Sequence, residues 1–149
     1  VDQWLAEAPR LGLRALLNEH VVIERGSARL AIAGVPDLWA ARYPGAVACD
    51  PKAAIAGAPE GAVRVLLAHQ PNAALLGVPH GYALALAGHT HGGQFLPLVL
   101  FVGFFHRIAS GLKRVESTWV YVSRGTGTWG PPLRLGSPAE ITLHELVRA

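Results

Sequence analysis

The sequence has no methionine, one cysteine (Cys49) and few charges among its 149 residues. A single thiol excludes an internal disulfide framework and leaves the redox compartment open. Starting at Val1 without methionine, the chain reads as a piece of a longer product. Its first ten residues lack the cationic-then-apolar pattern of a retained leader. Charged residues make up 15% against 51% hydrophobic, a balance that excludes a disordered chain. The net charge of +3 is scattered, with no Lys/Arg run interleaved with aromatics, so nucleic acid is not an expected partner. No apolar stretch reaches the roughly 20 residues of a spanning helix. The strongest, residues 95–105 (FLPLVLFVGFF), is 11 long with Pro97 inside.

What is present suits one domain with a real core. Residues 21–23 and 28–33 flank Glu24-Arg25-Gly26-Ser27, the pattern of a hairpin. Residues 33–43 read as an irregular segment. Asp50-Pro51 starts a short helix running to about Ala58, with Asp at the cap and Pro in the first turn. Residues 63–68 (VRVLLA) form a strand expected to be buried on both faces, and a short helix follows near residues 73–76. Residues 84–87 (LALA), 118–123 (TWVYVS) and 140–146 (EITLHEL) read as further strands. This alternation predicts an α/β sandwich in which two central strands each deliver histidine at the C-terminal end, where open α/β sheets place their ligands.

Seven histidines are present. Isolated histidines beside apolar strands are ordinarily structural or solvated, and His20, His80, His106 and His144 are read so. His69, His89 and His91 instead follow hydrophobic strands. In an extended backbone residues i and i+2 point the same way, so His89 and His91 would share a cavity. Gly88, Gly92 and Gly93 allow a sharp turn with room for an ion. Neutral imidazole is a common ligand for zinc, manganese or iron.

The string Gly88-His89-Thr90-His91-Gly92-Gly93-Gln94, with Ala68-His69-Gln70-Pro71 about twenty residues earlier, resembles the fourth and fifth motifs of the calcineurin-like metallophosphoesterases. The segments LGL (11–13), NEHVV (18–22), YVSRG (121–125), PLR (132–134) and EITL (140–143) are similar to the bacterial membrane-associated branch. The resemblance implies an α/β fold, the C-terminal half of an αββα sandwich, with residues 1–149 as one partial domain. It implies a phosphomono- or phosphodiesterase that uses two divalent ions (Mn, Fe or Zn) to activate hydroxide. His69 and His89 would bind the second metal and His91 the first. Thr90, Gly92 and Arg124 would contact the substrate.

The family's other motifs, Asp-x-His, Gly-Asp-x-x-Asp and Gly-Asn-His followed by an acid, do not occur. No catalytic residue is therefore assigned. The expectation is a C-terminal half whose missing N-terminal half is a partner, and which by itself holds at most one ion weakly. A non-catalytic metal-binding or interaction module is the alternative. Asp37 and Asp50 could replace the missing carboxylates, though turn and cap roles suit them better. Ala83 and Ala87 stand where the branch has Asp and Ser. Gly125-Thr126-Gly127-Thr128-Trp129-Gly130 matches a dinucleotide-binding pattern, but Pro131-Pro132 denies it a helix N-terminus, so it reads as a Gly-rich loop. Arg124 and Arg134 could reach phosphate, solvated loop arginines being the plainer reading. Residues 95–105 either cover the sheet or form an apolar wall for a lipid-like substrate or a membrane surface. The compartment stays between cytoplasmic and peripheral membrane association.

Overall fold

The computed structural model describes residues 2–147. Six strands form one sheet in the order β1-β2-β3-β4-β6-β5. Glu19–Arg25 (β1) and Ala28–Gly34 (β2) form the expected antiparallel hairpin, with Gly26 at φ +58° turning the chain. Val63–Leu67 (β3), Leu84–Ala87 (β4) and Thr118–Val122 (β6) follow β2 in parallel. Gly111–Val115 (β5) pairs antiparallel with β6 at the edge. The helices are short: Asp2–Glu7 (α1), Pro51–Ala54 (α2), Pro71–Leu76 (α3) and Leu98–Phe105 (α4).

One face of the sheet is built from small residues. Ala31, Ala33, Leu66, Ala85, Ala87, Val120 and Val122 lie in register across the strands and are buried. Alanines let α2 and α3 come close, and Ala54, Ile55, Ala74 and Tyr82 complete the core. The Tyr82 hydroxyl donates to the Pro51 carbonyl at 2.7 Å, tying the start of α2 to the chain entering β4.

The opposite face is equally apolar but has no helix on it among the described residues. Ile23, Val63, Trp119 and Leu112 lie on it, each roughly half exposed. For β3 the expectation holds at the centre, where Val65 and Leu66 on opposite faces are both buried, but not at the ends, where Val63 is 47% and Leu67 41% exposed. A sheet with helices on one face and a bare apolar surface on the other is half of an αββα sandwich.

Other expectations need adjusting. The Asp50 helix stops at Ala54, because Ile55 already leaves helical backbone at φ −107°, ψ 1°. Residues 140–146 form no strand; Ile141 and Leu143 are more than nine-tenths exposed, since nothing lies against their apolar side. Polar β5 escaped notice because an edge strand loses the alternation that marks a buried one. Residues 33–43 contain a 3-10 turn, Leu38–Arg42, capped by the Asp37 carboxylate.

Candidate metal centre

The two central strands set the site. Their ladder continues past the strand ends: Ala68 N–H donates to Leu86 O and Gly88 N–H to His69 O, both at 3.0 Å. His69 and His89 are thereby held side by side. Their rings meet edge to face at 4.8 Å between centroids, and His69 Nε2 stands 3.1 Å from His89 Nδ1.

Beyond β4 the backbone is not extended, which overturns the alternation argument for His89 and His91. His89 has φ +71°, Thr90 is right-handed, and His91, Gly92, Gly93 and Gln94 are all left-handed. Three non-glycine residues in this region cost about 1–2 kcal/mol each, the kind of strain that clusters at functional sites. Hydrogen bonds hold the turn. Thr90 donates to Ala109 O at 2.6 Å and accepts from Gly92 N–H, while Ser137 donates to His91 O at 2.6 Å. Gln94 is completely buried. Its amide donates to the carbonyls of Trp129 and Pro131 and accepts from Trp129 N–H at 2.8 Å. The Gly-rich loop is thus pinned to the metal turn and followed by no helix.

His69, His89, Thr90, His91, Gly93, His106 and Trp129 line a cleft of about 500 Å³, whose other wall is α4. His106 was read as structural from sequence; it lies in the cleft, its ring 5.7 Å from His89. Its Nδ1 is buried without a hydrogen-bond partner. Nothing in its sequence neighbourhood signals this, because α4 and not a motif brings it there. Arg134 also differs from its expectation. Rather than being solvated, its guanidinium donates to the carbonyls of Arg124, Gly127 and Ser137. It also stands 3.2 Å from His91 Nδ1. Since arginine can only donate, this contact is a hydrogen bond only in the His91 tautomer protonated at Nε2. Ligation by His91 therefore requires its ring to leave Arg134 or exchange tautomer.

Of the residues expected at the substrate, Thr90 lines the cleft and Gly92 is packed in the turn. A side chain on Gly92 would strike Ser137 Oγ at 2.6 Å. The Arg124 guanidinium faces Glu140 at 3.6 Å and does not line the cleft. Asp37 accepts from Trp39 N–H and Gln70 Nε2, and Asp50 caps α2 through Ala53 N–H, so both carboxylates serve structure. His20 bonds to Ala54 O, and His144 packs on Tyr121.

The spacing of the histidine pair, here a ring-to-ring hydrogen bond, matches that of two ligands sharing one ion. With metal–nitrogen bonds of about 2.0–2.1 Å, two ligands of one ion stand about 3.3 Å apart in a tetrahedral sphere and about 2.9 Å in an octahedral one. The observed 3.1 Å falls between. Among the described residues, however, no three His, Cys, Asp or Glu side chains form a group able to hold an ion.

Partial burial favours the neutral form of His89, His91 and His106, the form that binds metal. Desolvation lowers His89, helped by His69 and His106; it lowers His91, helped by Arg134; and it lowers His106 alone. The unfolded chain then takes these protons more readily than the folded one. Stability should be level above the ordinary value of 6.5 and fall as pH drops below it, the loss being complete beneath the folded values. Melting at about pH 7.5 and about pH 5 tests this. A melting temperature that rose on acidification, or a loss that did not shrink in His106→Gln, would count against it.

No protein-family model matches the chain. Over 95% of its length it is 39% identical to transmembrane protein with metallophosphoesterase domain from Danio rerio, and equally so to the Bos taurus protein of that name. It is 32% identical to phosphodiesterase YaeI of Escherichia coli over 91% of its length. The chain belongs to the calcineurin-like metallophosphoesterase superfamily. It spans 34% of the fish and bovine relatives and 48% of YaeI. Membership implies dependence on divalent metal. Among the described residues no helix is long and apolar enough to cross a membrane.

Proposed function

We propose that the protein is a metal-dependent phosphoester hydrolase, acting on a phosphomono- or phosphodiester, to which this chain contributes the histidine side of a binuclear site. The observation that carries the reading is the convergence of His69 Nε2 and His89 Nδ1 at the ends of adjacent parallel strands. Two divalent ions, when bound, would supply the charge that binds phosphate and activates water. The chain's own residues do the rest. His69 and His89 offer lone pairs to one ion, and His91 serves the other once released from Arg134. Thr90 and Gln94 hold the strained turn in place, so little reorganisation remains to be made on binding. The apolar wall of α4 lines the cleft beside the histidines.

In this reading residues 1–149 are a partial domain. The carboxylates, the Asn ligand and the histidine that assists the leaving group come from a preceding segment packed on the bare sheet face. A location beside a membrane is proposed too, supported by the printed name of the fish and bovine relatives. The absence of a three-ligand group among the described residues favours one second reading, a non-catalytic metal-binding or interaction module. Hydrolysis of an aryl phosphodiester by the protein that includes this preceding segment separates the two. It should vanish with chelator, return with manganese, and fall at least about tenfold in His69→Ala. Chelator-resistant hydrolysis would falsify the proposal.

A further inference from the structure

The α4 wall carries information about the substrate. Its sequence, LVLFVGFF, has no polar side chain, and none of its residues is fully buried. Leu98, Phe101, Val102 and Phe105 fall at i, i+3, i+4 and i+7, one stripe of a helix. All four line the cleft shared with His69, His89, His91 and His106. Leu100 and Phe104 lie off that stripe and are 67% and 80% exposed. A helix placed in water ordinarily turns polar residues outward; this one keeps apolar groups both toward the cleft and away from it.

The wall is also fixed to the metal turn. Val99 rests on Gly93 so closely that a Cβ there would lie 2.5 Å from Val99 Cα. Histidine rim and apolar stripe therefore hold one spacing. The cleft, about 500 Å³, is within the usual small-molecule range of roughly 300–1,000 Å³ and far larger than a lone phosphate needs. A sugar or nucleotide lying along α4 would lose its water and find no hydrogen-bond partner on the helix. A hydrocarbon chain would lose nothing.

Building on the phosphoesterase reading, we infer that the substrate is an amphiphilic phosphoester: its phosphate meets the histidines and its aliphatic chain lies along Leu98, Phe101, Val102 and Phe105. Chain length then controls affinity. Each buried methylene tightens binding about fourfold.

The test is calorimetric titration of the protein in manganese with butyl phosphate, octyl phosphate and octanol. Octyl phosphate should bind at least about tenfold more tightly than butyl phosphate. Phe101→Ser combined with Phe105→Ser should erase most of that ratio, while Phe104→Ser, off the stripe, keeps it. All three side chains are substantially exposed, so these substitutions leave the core intact. Equal affinity for the two phosphates overturns the inference, as does a double variant that retains the chain-length ratio. If butyl and octyl phosphate bind equally but only with manganese, the phosphoesterase reading stands without it. If octanol binds as tightly as octyl phosphate, the phosphate plays no part and both readings fall.

Discussion

His89→Asn is expected to weaken zinc or manganese binding at least about a hundredfold. Losing a group that merely orients a ligand already costs 10- to 100-fold, and His89 supplies one of the two nitrogens that converge at 3.1 Å. His69 alone would then face the ion from this chain's strand ends. Asparagine is a sharper substitution than alanine because the position sits at φ +71°. Asn tolerates the left-handed region, whereas alanine adds a backbone penalty that could be mistaken for loss of a ligand. Titration with metal, with circular dichroism to confirm that the fold persists, makes the comparison. An unchanged affinity would remove His89, and with it the pair, from the site.

Gly93→Ala should destabilise the protein by about 3 kcal/mol, combining about 1–2 kcal/mol for a left-handed alanine with about 1–3 kcal/mol of overpacking. At φ +86° the new Cβ would lie 2.5 Å from Val99 Cα, 2.6 Å from Val99 N and 2.8 Å from Leu98 C. These are backbone atoms of α4, so no side chain can swing aside. Either the metal turn or the helix must shift. Urea denaturation reads the first outcome, and lost amide protection across Leu98–Phe105 reads the second. Gly103→Ala in the same helix meets nothing within 4 Å and should be neutral or slightly stabilising. If Gly93→Ala matched it in both measurements, the anchoring of α4 to the turn would be wrong.

Legibility differed by element for physical reasons. The hairpin, β3, β4 and β6 announced themselves through hydrophobic runs bounded by turn residues. The Asp50-Pro51 start and α3 followed from capping and proline chemistry. Polar β5 carried no such signal. Residues 140–146 carried a strong one that was misleading, because strand pattern records a side chain's preference and cannot supply a neighbouring strand. His106 and Arg134 were invisible for another reason. For His106 that relation depends on α4, which folds it back onto His89; for Arg134 it depends on the Gly-rich loop that Gln94 clamps, through contacts spanning 35 residues or more.

By itself, the sequence determined the family, the two histidine-bearing strand ends and the lack of carboxylate motifs, since each is written in a short contiguous string. It also determined that residues 95–105 are apolar. Tertiary structure decided where that run lies: beside the histidine turn, lining the cleft. It decided too that His69 and His89 form a pair while His91 is held by Arg134. Ring direction after β4 is set by left-handed backbone and by long-range hydrogen bonds, and strand alternation has no say once the strand has ended.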